Sequence, residues 1–416
     1  MTEKEHKQGL EILSILEQQG FEARFAGGCV RDFYLGIAPL DYDIATTATP
    51  DQIFDVFHKK ENYRALPTGI EHGTVTIVFD RKAFEVTSLR EDVQTDGRHA
   101  KVVFGKNFEK DAARRDFTMN AMYQDRHGNI FDFHQGRRDL DQRKIRFVGD
   151  CAVRVQEDYL RILRYFRFQA RLSLLGDEET LSTIQLHAAG LQCVSRERIS
   201  QEIKGFFQVE DLKNIFIDMK NTKVLNAVFP NAMWEHVDME KVNCSLRKLN
   251  GFIERLCFLC IEIPGLSPQD LFHSLKLTKK NLKKLEVCSY GFQEMLRDLS
   301  DDQARILFLW DTLEKKAGPG VGVLVFHILR YTAQTQNQLS WIDKSLQIEN
   351  IWSYKRKKTL PLSGADISET LNIYGKELGD LLFYLRQQFY ADSWRNADEG
   401  LDFAKKWVAR LKKSQN

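Results

Sequence analysis

Over the first 150 residues the apolar positions change period several times. Lys4 to Gln19 place Leu10, Ile12, Leu13, Ile15 and Leu16 at the spacing of an amphipathic helix. A strand-like run, Ala23 to Ala26, ends in Gly27-Gly28, after which a helix is predicted with Val30, Phe33 and Tyr34 facing a core. A second strand is predicted over Asp41 to Thr46. Thr49-Pro50-Asp51-Gln52 supplies a Thr cap, Pro at the first helical position and Gln at the third. These open a helix that runs to about Lys60 and buries Ile53, Val56 and Phe57. Thr74 to Asp80 alternates Val75, Ile77 and Phe79 against Thr74, Thr76 and Val78, and Phe84 to Leu89 follows across a link short enough for a hairpin. Arg90 to Lys106, centred on Asp96-Gly97-Arg98, has the composition of a mobile loop. The turn His127-Gly128-Asn129 then leads to a strand, Ile130 to Phe133, that closes a sheet.

From Arg154 the pattern is helical and stays so. Tyr159, Ile162, Leu163, Phe166 and Ala170 recur at helical spacing within Val155 to Arg171, and Ser195 caps another helix. Apolar-periodic segments follow at Val224 to Phe229, Leu249 to Ile263, Leu271 to Leu285, Ala304 to Leu313, Val323 to Ala333, Leu371 to Phe389 and Leu401 to Leu411. Strand-type alternation is absent, so this half is expected to be a helical array.

Composition narrows the class. Hydrophobic residues at 43% and charged residues at 28% describe an ordinary globular protein of two to four compact units. Net charge is +2, so any nucleic-acid contact must come from local patches such as Lys276, Lys279, Lys280, Lys283 and Lys284. The charged N-terminus has no signal core, and no apolar run of about 18 residues predicts a membrane span. Seven dispersed cysteines point to reduced thiols and a cytoplasmic setting. The lone Cys257-Phe-Leu-Cys260, with no second pair and no nearby His, is expected to pack a core.

Three groupings carry chemistry. Asp41 and Asp43 lie two apart on the predicted strand, so both carboxylates share a face. Two such charges repel unless a cation lies between them, and magnesium, which keeps waters and shares itself with phosphates, suits that place. The upstream Gly27-Gly28 lets backbone N–H groups approach a phosphate. Arg114-Arg115 before Asp116 crowd positive charge that a triphosphate would neutralise. Asp158 and Arg161, three apart on a helix, offer an acceptor beside a donor fork. Cytosine and adenine present an amine beside an unprotonated ring nitrogen, which this pair complements. Uracil and guanine present a carbonyl beside a protonated nitrogen, which leaves both contacts unmatched.

GG-x-V-R-D followed by D-x-D, with RRDFT-x-N-A, EDxLRxLRxxRF and ERxxxE downstream, resembles the class II tRNA nucleotidyltransferases (CCA-adding enzymes) and the bacterial poly(A) polymerases. The resemblance is dense from about residue 25 to 205 and implies an α+β fold. A polymerase-beta-like nucleotidyltransferase head with a small mixed sheet would span 1–150, followed by an all-α neck (151–210), body (211–330) and tail (331–416). It implies magnesium at Asp41 and Asp43, with Glu85 on a neighbouring strand as third carboxylate. Nucleotide contacts would be Gly27, Gly28, Arg31, Arg115, Asp116, Asn120, Arg164 and Arg167, with Asp158 and Arg161 reading the base. Asp96, Gly97 and Arg98 would form the loop that helps switch between nucleotides, and Glu197, Arg198 and Glu202 would brace the neck. The implied substrates are CTP, ATP and the tRNA 3′ end, with no obligate protein partner. Poly(A) synthesis, addition of the terminal A alone and a non-catalytic RNA-binding module are the alternatives. Poly(A) polymerases carry a Gly-Arg-Arg-Phe-like signature where this chain has Pro67-Thr68-Gly69-Ile70, which favours CCA addition. No His-Asp dipeptide occurs, so the metal phosphohydrolase domain of some relatives is not expected.

Overall fold

The computed structural model describes residues 3–70, 73–93, 101–249, 251–297, 360–390 and 395–414, together with Thr312, Leu313, Lys316 and Val325. Seven strands form one sheet: Ala23–Ala26 (β1), Asp43–Thr46 (β2), Tyr63–Leu66 (β3), Thr74–Phe79 (β4), Lys82–Ser88 (β5), Met122–Gln124 (β8) and Ile130–Asp132 (β9). Their order is β3-β4-β5-β2-β1-β8-β9, antiparallel except for the parallel pair β2 and β5. Arg90–Val93 (β6) and Lys101–Phe104 (β7) pair separately as a two-stranded ribbon.

Strand alternation gives this sheet two unlike faces. Phe25, Ile44, Val86 and Val75 stand in one cross-strand row, all fully buried. Helices Glu3–Gln18 (α1) and Pro50–His58 (α3) pack against the sheet, and Ile12, Leu13, Leu16, Ile53 and Phe57 are buried. The next row, Asp43, Glu85 and Thr76, points the other way and stays polar. Thr49 caps α3 through a reciprocal capping box with Gln52.

Several elements differ from the sequence reading. β2 starts at Asp43, which leaves Asp41 ahead of the strand. β3 and β8 carry no alternation of their own. The first is a half-exposed edge strand and the second is three residues long, so only pairing with neighbours defines them. The stretch read as a loop from Arg90 to Lys106 has paired strands at both ends, because backbone pairing needs no apolar period. Its centre, Asp96, Gly97 and Arg98, lies outside the described residues. Val56, Phe33 and Tyr34 are half-buried rather than core. The single segment read over Leu271 to Leu285 is two helices, Pro268–Leu275 and Lys279–Arg297, parted where Lys276 takes a left-handed backbone, φ 46°.

The chain divides into two compact units, Met1–Val209 with Ile217–Val228, and Glu210–Phe216 with Phe229–Asn416. The first contains the sheet, Gly28–Tyr34 (α2), Phe108–Ala113 (α4), Gly136–Asp141 (α5), Cys151–Glu157 (α6), Leu160–Leu172 (α7), Glu178–His187 (α8) and Arg196–Phe206 (α9). The described elements of the second are helical. All seven cysteines are free, and Cys257 is fully buried within Phe252–Glu262. No helix among the described residues is long and apolar enough to cross a membrane.

Candidate active site

Parallel pairing of β2 with β5 sets Asp43 opposite Glu85 in register, so the two carboxylates stand side by side on the open face. Asp41, exposed, sits two residues upstream. Burial on the recess floor and then the Glu85 charge push the Asp43 carboxyl up to about 6, with Asp41 adding to the rise and Arg115 opposing it. Crowded carboxylates lacking a counter-charge fit a hard divalent cation. Among the described residues no three His, Cys, Asp or Glu form a closed cage. A site that shares its ion with waters and substrate phosphates needs none. Cys29 lies beneath, its thiol donating to the carbonyls of Ala26 (3.3 Å) and Asp43 (3.6 Å). Burial pushes that thiol up to about 12, which makes it an inert packing group.

The glycine pair makes room for arginine. Gly27 has φ +70°, and a Cβ there would lie 2.7 Å from Arg115 Nη1. Arg115 also donates to the Asn120 carbonyl (3.2 Å), the Tyr123 hydroxyl (3.1 Å) and Asp111 (3.3 Å). Asp111 is 1% exposed and accepts from Arg114 (2.6 Å), the Tyr123 hydroxyl (2.6 Å) and the Arg90 backbone N–H (3.2 Å). Burial would raise its carboxyl, but Arg115 and Arg114 outweigh that and hold it below the usual range. Arg31 is buried and spends its guanidinium on Asp32 (2.8 and 2.6 Å) and on Asn120 Oδ1 (2.6 Å). Asp32 also accepts from Arg171 at 3.1 Å.

Two helices complete the wall. Asp116 accepts from the Phe117 N–H (2.8 Å), Asn120 Nδ2 (3.2 Å) and Arg164 of α7 (2.7 and 2.6 Å). Arg167 pairs with Glu202 at 2.5 Å. Three guanidiniums surround the Phe168 ring: Arg167 at 4.3 Å, Arg31 at 5.1 Å and Arg164 at 5.5 Å from its centroid. Asp158, just before α7, accepts a two-pronged contact from Arg198 of α9, 2.6 and 3.2 Å. Arg161 donates to Glu157 (2.5 Å) and to the Arg154 carbonyl (2.9 Å). The ion pairs of Arg198 and Glu202 therefore run across to α7 and its start rather than along α9, where the ERxxxE spacing suggested an intrahelical bridge.

Two recesses result. One, of about 440 Å³, is lined by Asp43, Glu85, Arg115, Asp116, Asp158, Arg161, Arg164 and Arg198 among others. The other, of about 290 Å³, includes Gly27, Gly28, Arg31, Asp41, Asn120 and Arg167, and shares Asp43, Arg115, Asp116 and Arg164 with the first. Glu197 lines neither. The sequence reading missed Asp111, Tyr123, Glu157, Asp32, Arg171 and Phe168. Asp111 and Glu157 stand three or four residues before the arginines they hold, a helical spacing that could have found them. Phe168 leaves no such signal, because it looks like any core position of α7.

Residues 23–146 match the family described as Poly A polymerase head domain, and residues 177–234 match the probable RNA and SrmB-binding site of polymerase A. The chain is 34% identical over 411 residues to the mitochondrial CCA tRNA nucleotidyltransferase 1 of Mus musculus, covering 96% of this chain and 90% of that one. It is 30% identical over 429 residues to the CCA-adding enzyme of Staphylococcus haemolyticus, covering 96% and 97%. Its fold matches the crystal structure of the Bacillus stearothermophilus CCA-adding enzyme in complex with CTP with a TM-score of 0.81 at 24% identity, over 99% of this chain and 100% of that one. With paired carboxylates on a polymerase-beta-like sheet and a likeness that runs nearly end to end, the chain belongs to the CCA tRNA nucleotidyltransferase family.

Proposed function

We propose that this chain adds C, C and A in turn to the tRNA 3′ end from CTP and ATP, without a nucleic-acid template and with release of pyrophosphate. The observation that carries this is the meeting, around one recess, of the Asp43–Glu85 pair with Asp158 and Arg161. The RNA 3′ hydroxyl attacks the α-phosphorus; an oxygen–phosphorus bond forms as the bond to the β-phosphate oxygen breaks. Asp41, Asp43 and Glu85 would hold magnesium, which when bound supplies activation of the hydroxyl and offsets charge on the leaving pyrophosphate. Backbone N–H groups at Gly27 and Gly28, with Arg31, Arg115, Arg164 and Arg167, hold the triphosphate. Asp116 and Asn120 face the sugar. Asp158 accepts from the base amine and Arg161 donates to the ring nitrogen. A buried polar group left unmatched costs about 1–3 kcal/mol, so two mismatches reject uracil and guanine strongly.

The head spans 1–150, the neck 151–210, the body 211–330 and the tail 331–416. Asp96, Gly97 and Arg98 belong to the nucleotide-switching loop. The tRNA lies along the helical part, held through its backbone shape. Lys276, Lys279, Lys280 and Lys283, all exposed, meet its phosphates. The seven free thiols fit a reducing compartment, and we assign the cytoplasm.

The test uses tRNA transcripts lacking CCA, ending in C and ending in CC, each incubated with magnesium and CTP, ATP, both, or UTP and GTP. Completion to CCA and then arrest supports the reading. A ladder with ATP would instead identify a poly(A) polymerase, a single A on the CC-ended transcript alone an A-adding enzyme, and no extension a non-catalytic RNA-binding module. Asp43→Ala is expected to abolish transfer while tRNA binding persists.

A further inference from the structure

Both proposed base-reading side chains are held by residues to which no role in selecting the base has been given. Asp158 receives Arg198 Nη2 on one carboxylate oxygen (2.6 Å) and Arg198 Nη1 on the other (3.2 Å). Its Oδ1 also accepts the Leu160 N–H at 3.1 Å. A carboxylate has about four lone-pair directions, so these three contacts leave about one for a base. Arg161 is limited in the same way. Its Nη1 donates to Glu157 (2.5 Å) and to the Arg154 carbonyl (2.9 Å), and its Nη2 to the Arg114 carbonyl (3.5 Å). Glu157 is itself held from behind by Arg154 at 2.9 Å. Both holding side chains reach solvent, Arg198 with half of its side chain exposed and Glu157 with 43%. Neither is a core group that the fold requires for packing.

We propose that Arg198 and Glu157 are positioning residues that determine base selection. Arg198 fixes the plane of the Asp158 carboxylate and leaves one acceptor direction, and Glu157 fixes which Arg161 N–H groups face the recess. An Asp158 freed from Arg198 rotates and can take a proton or a bridging water, and then donates as well as accepts. The uracil and guanine carbonyls become matched, and rejection weakens. This rests on Asp158 and Arg161 being the base readers.

The test is single-nucleotide extension of a tRNA transcript lacking CCA, with each of the four nucleoside triphosphates supplied alone, for the unaltered protein and for Arg198→Met, Arg198→Lys, Glu157→Gln and Asp158→Ala. The selectivity ratio, kcat/KM for CTP over that for UTP, is the readout, since a purely structural loss lowers both together. Arg198→Met is expected to lower the ratio about tenfold, the order expected when one unmatched contact is relieved. Arg198→Lys keeps the charge but not the fork and is expected to recover less than half of that loss, on a logarithmic scale. Glu157→Gln, which keeps the shape, is expected to lower the ratio in the same direction. If Asp158→Ala loses selection while the Arg198 and Glu157 variants keep it, the positioning role is overturned and base reading stands. If Asp158→Ala also keeps selection, base reading itself falls. A lower KM for CTP in Arg198→Met at an unchanged ratio would make Arg198 a plug that the base displaces, which also overturns the inference.

Discussion

Asp43 is held against its own charge. Its carboxyl titrates near 6 in the folded protein against the ordinary 3.8, so the folded state binds that proton more tightly than the unfolded chain does. Below the unfolded value the group costs nothing. The penalty accumulates as pH rises from about 4 to about 6 and is complete above that. Asp43→Asn removes it. Without divalent ions at pH 7.5, the variant is expected to be about 1 kcal/mol more stable after allowance for solvent screening, or about 2–4 °C in Tm. At pH 4 the gain should vanish, and transfer should be absent at both. Calorimetry at the two pH values checks this, and an unchanged or lower Tm at pH 7.5 would remove the electrostatic argument. Asp111 is the converse case, a buried carboxylate that its arginines stabilise. Asp111→Ala leaves two guanidiniums short of their partner and is expected to cost about 3–5 kcal/mol by denaturant unfolding. A cost below 1 kcal/mol would mean that solvent replaces the carboxylate.

Elements with similar local energies differ in what they carry. Gly136, at the start of α5, packs on the turn Thr118–Asn120: a Cβ there would overlap the Thr118 carbonyl oxygen and lie 2.8 Å from its carbon and 3.1 Å from Met119 Cα. Those neighbours are backbone and cannot rotate away. Gly136→Ala is therefore expected to cost about 1–3 kcal/mol and to displace Asn120, which holds Arg31 and Asp116. Transfer should fall by more than the unfolded fraction explains. Thr49→Ala loses a cap worth about 1 kcal/mol, but α3 packs behind the sheet, so kcat/KM for CTP should stay within twofold. Equal activity losses in the two variants, measured on fully folded protein, would show that the Thr118–Asn120 turn has no special link to the site.

For the whole molecule, a net charge of +2 leaves no general attraction for RNA. Affinity for tRNA must come from local clusters, so it should be steep in salt but only by the number of phosphates met. Replacing Lys279, Lys280 and Lys283 together with Ala is expected to lower the slope of log affinity against log salt by about 2–3, with CTP affinity unchanged. Filter binding of tRNA from 50 to 300 mM salt decides this, and an unaltered slope would take the cluster out of the RNA interface.

Much of this site was legible along the chain because its parts are local. Gly27-Gly28, Asp41-x-Asp43, Arg114-Arg115-Asp116 and the Asp158, Arg161, Arg164 series each lie within a turn or strand, where spacing alone brings side chains together. Alternation in Thr74 to Phe79 foretold which face would be apolar, and Val75 and Ile77 are fully buried. The helical character of residues beyond about 150 followed from an unbroken period. What the sequence could not contain was pairing between distant segments. The β2–β5 register that puts Glu85 beside Asp43 spans 42 positions, and no period links the two. Arg198 meets Asp158 across 40 positions, Arg164 meets Asp116 across 48, and Arg171 meets Asp32 across 139. Such contacts depend on how sheet and helices pack. Residue types and short spacings therefore determined the chemistry of this protein, and tertiary structure alone decided which charges hold which.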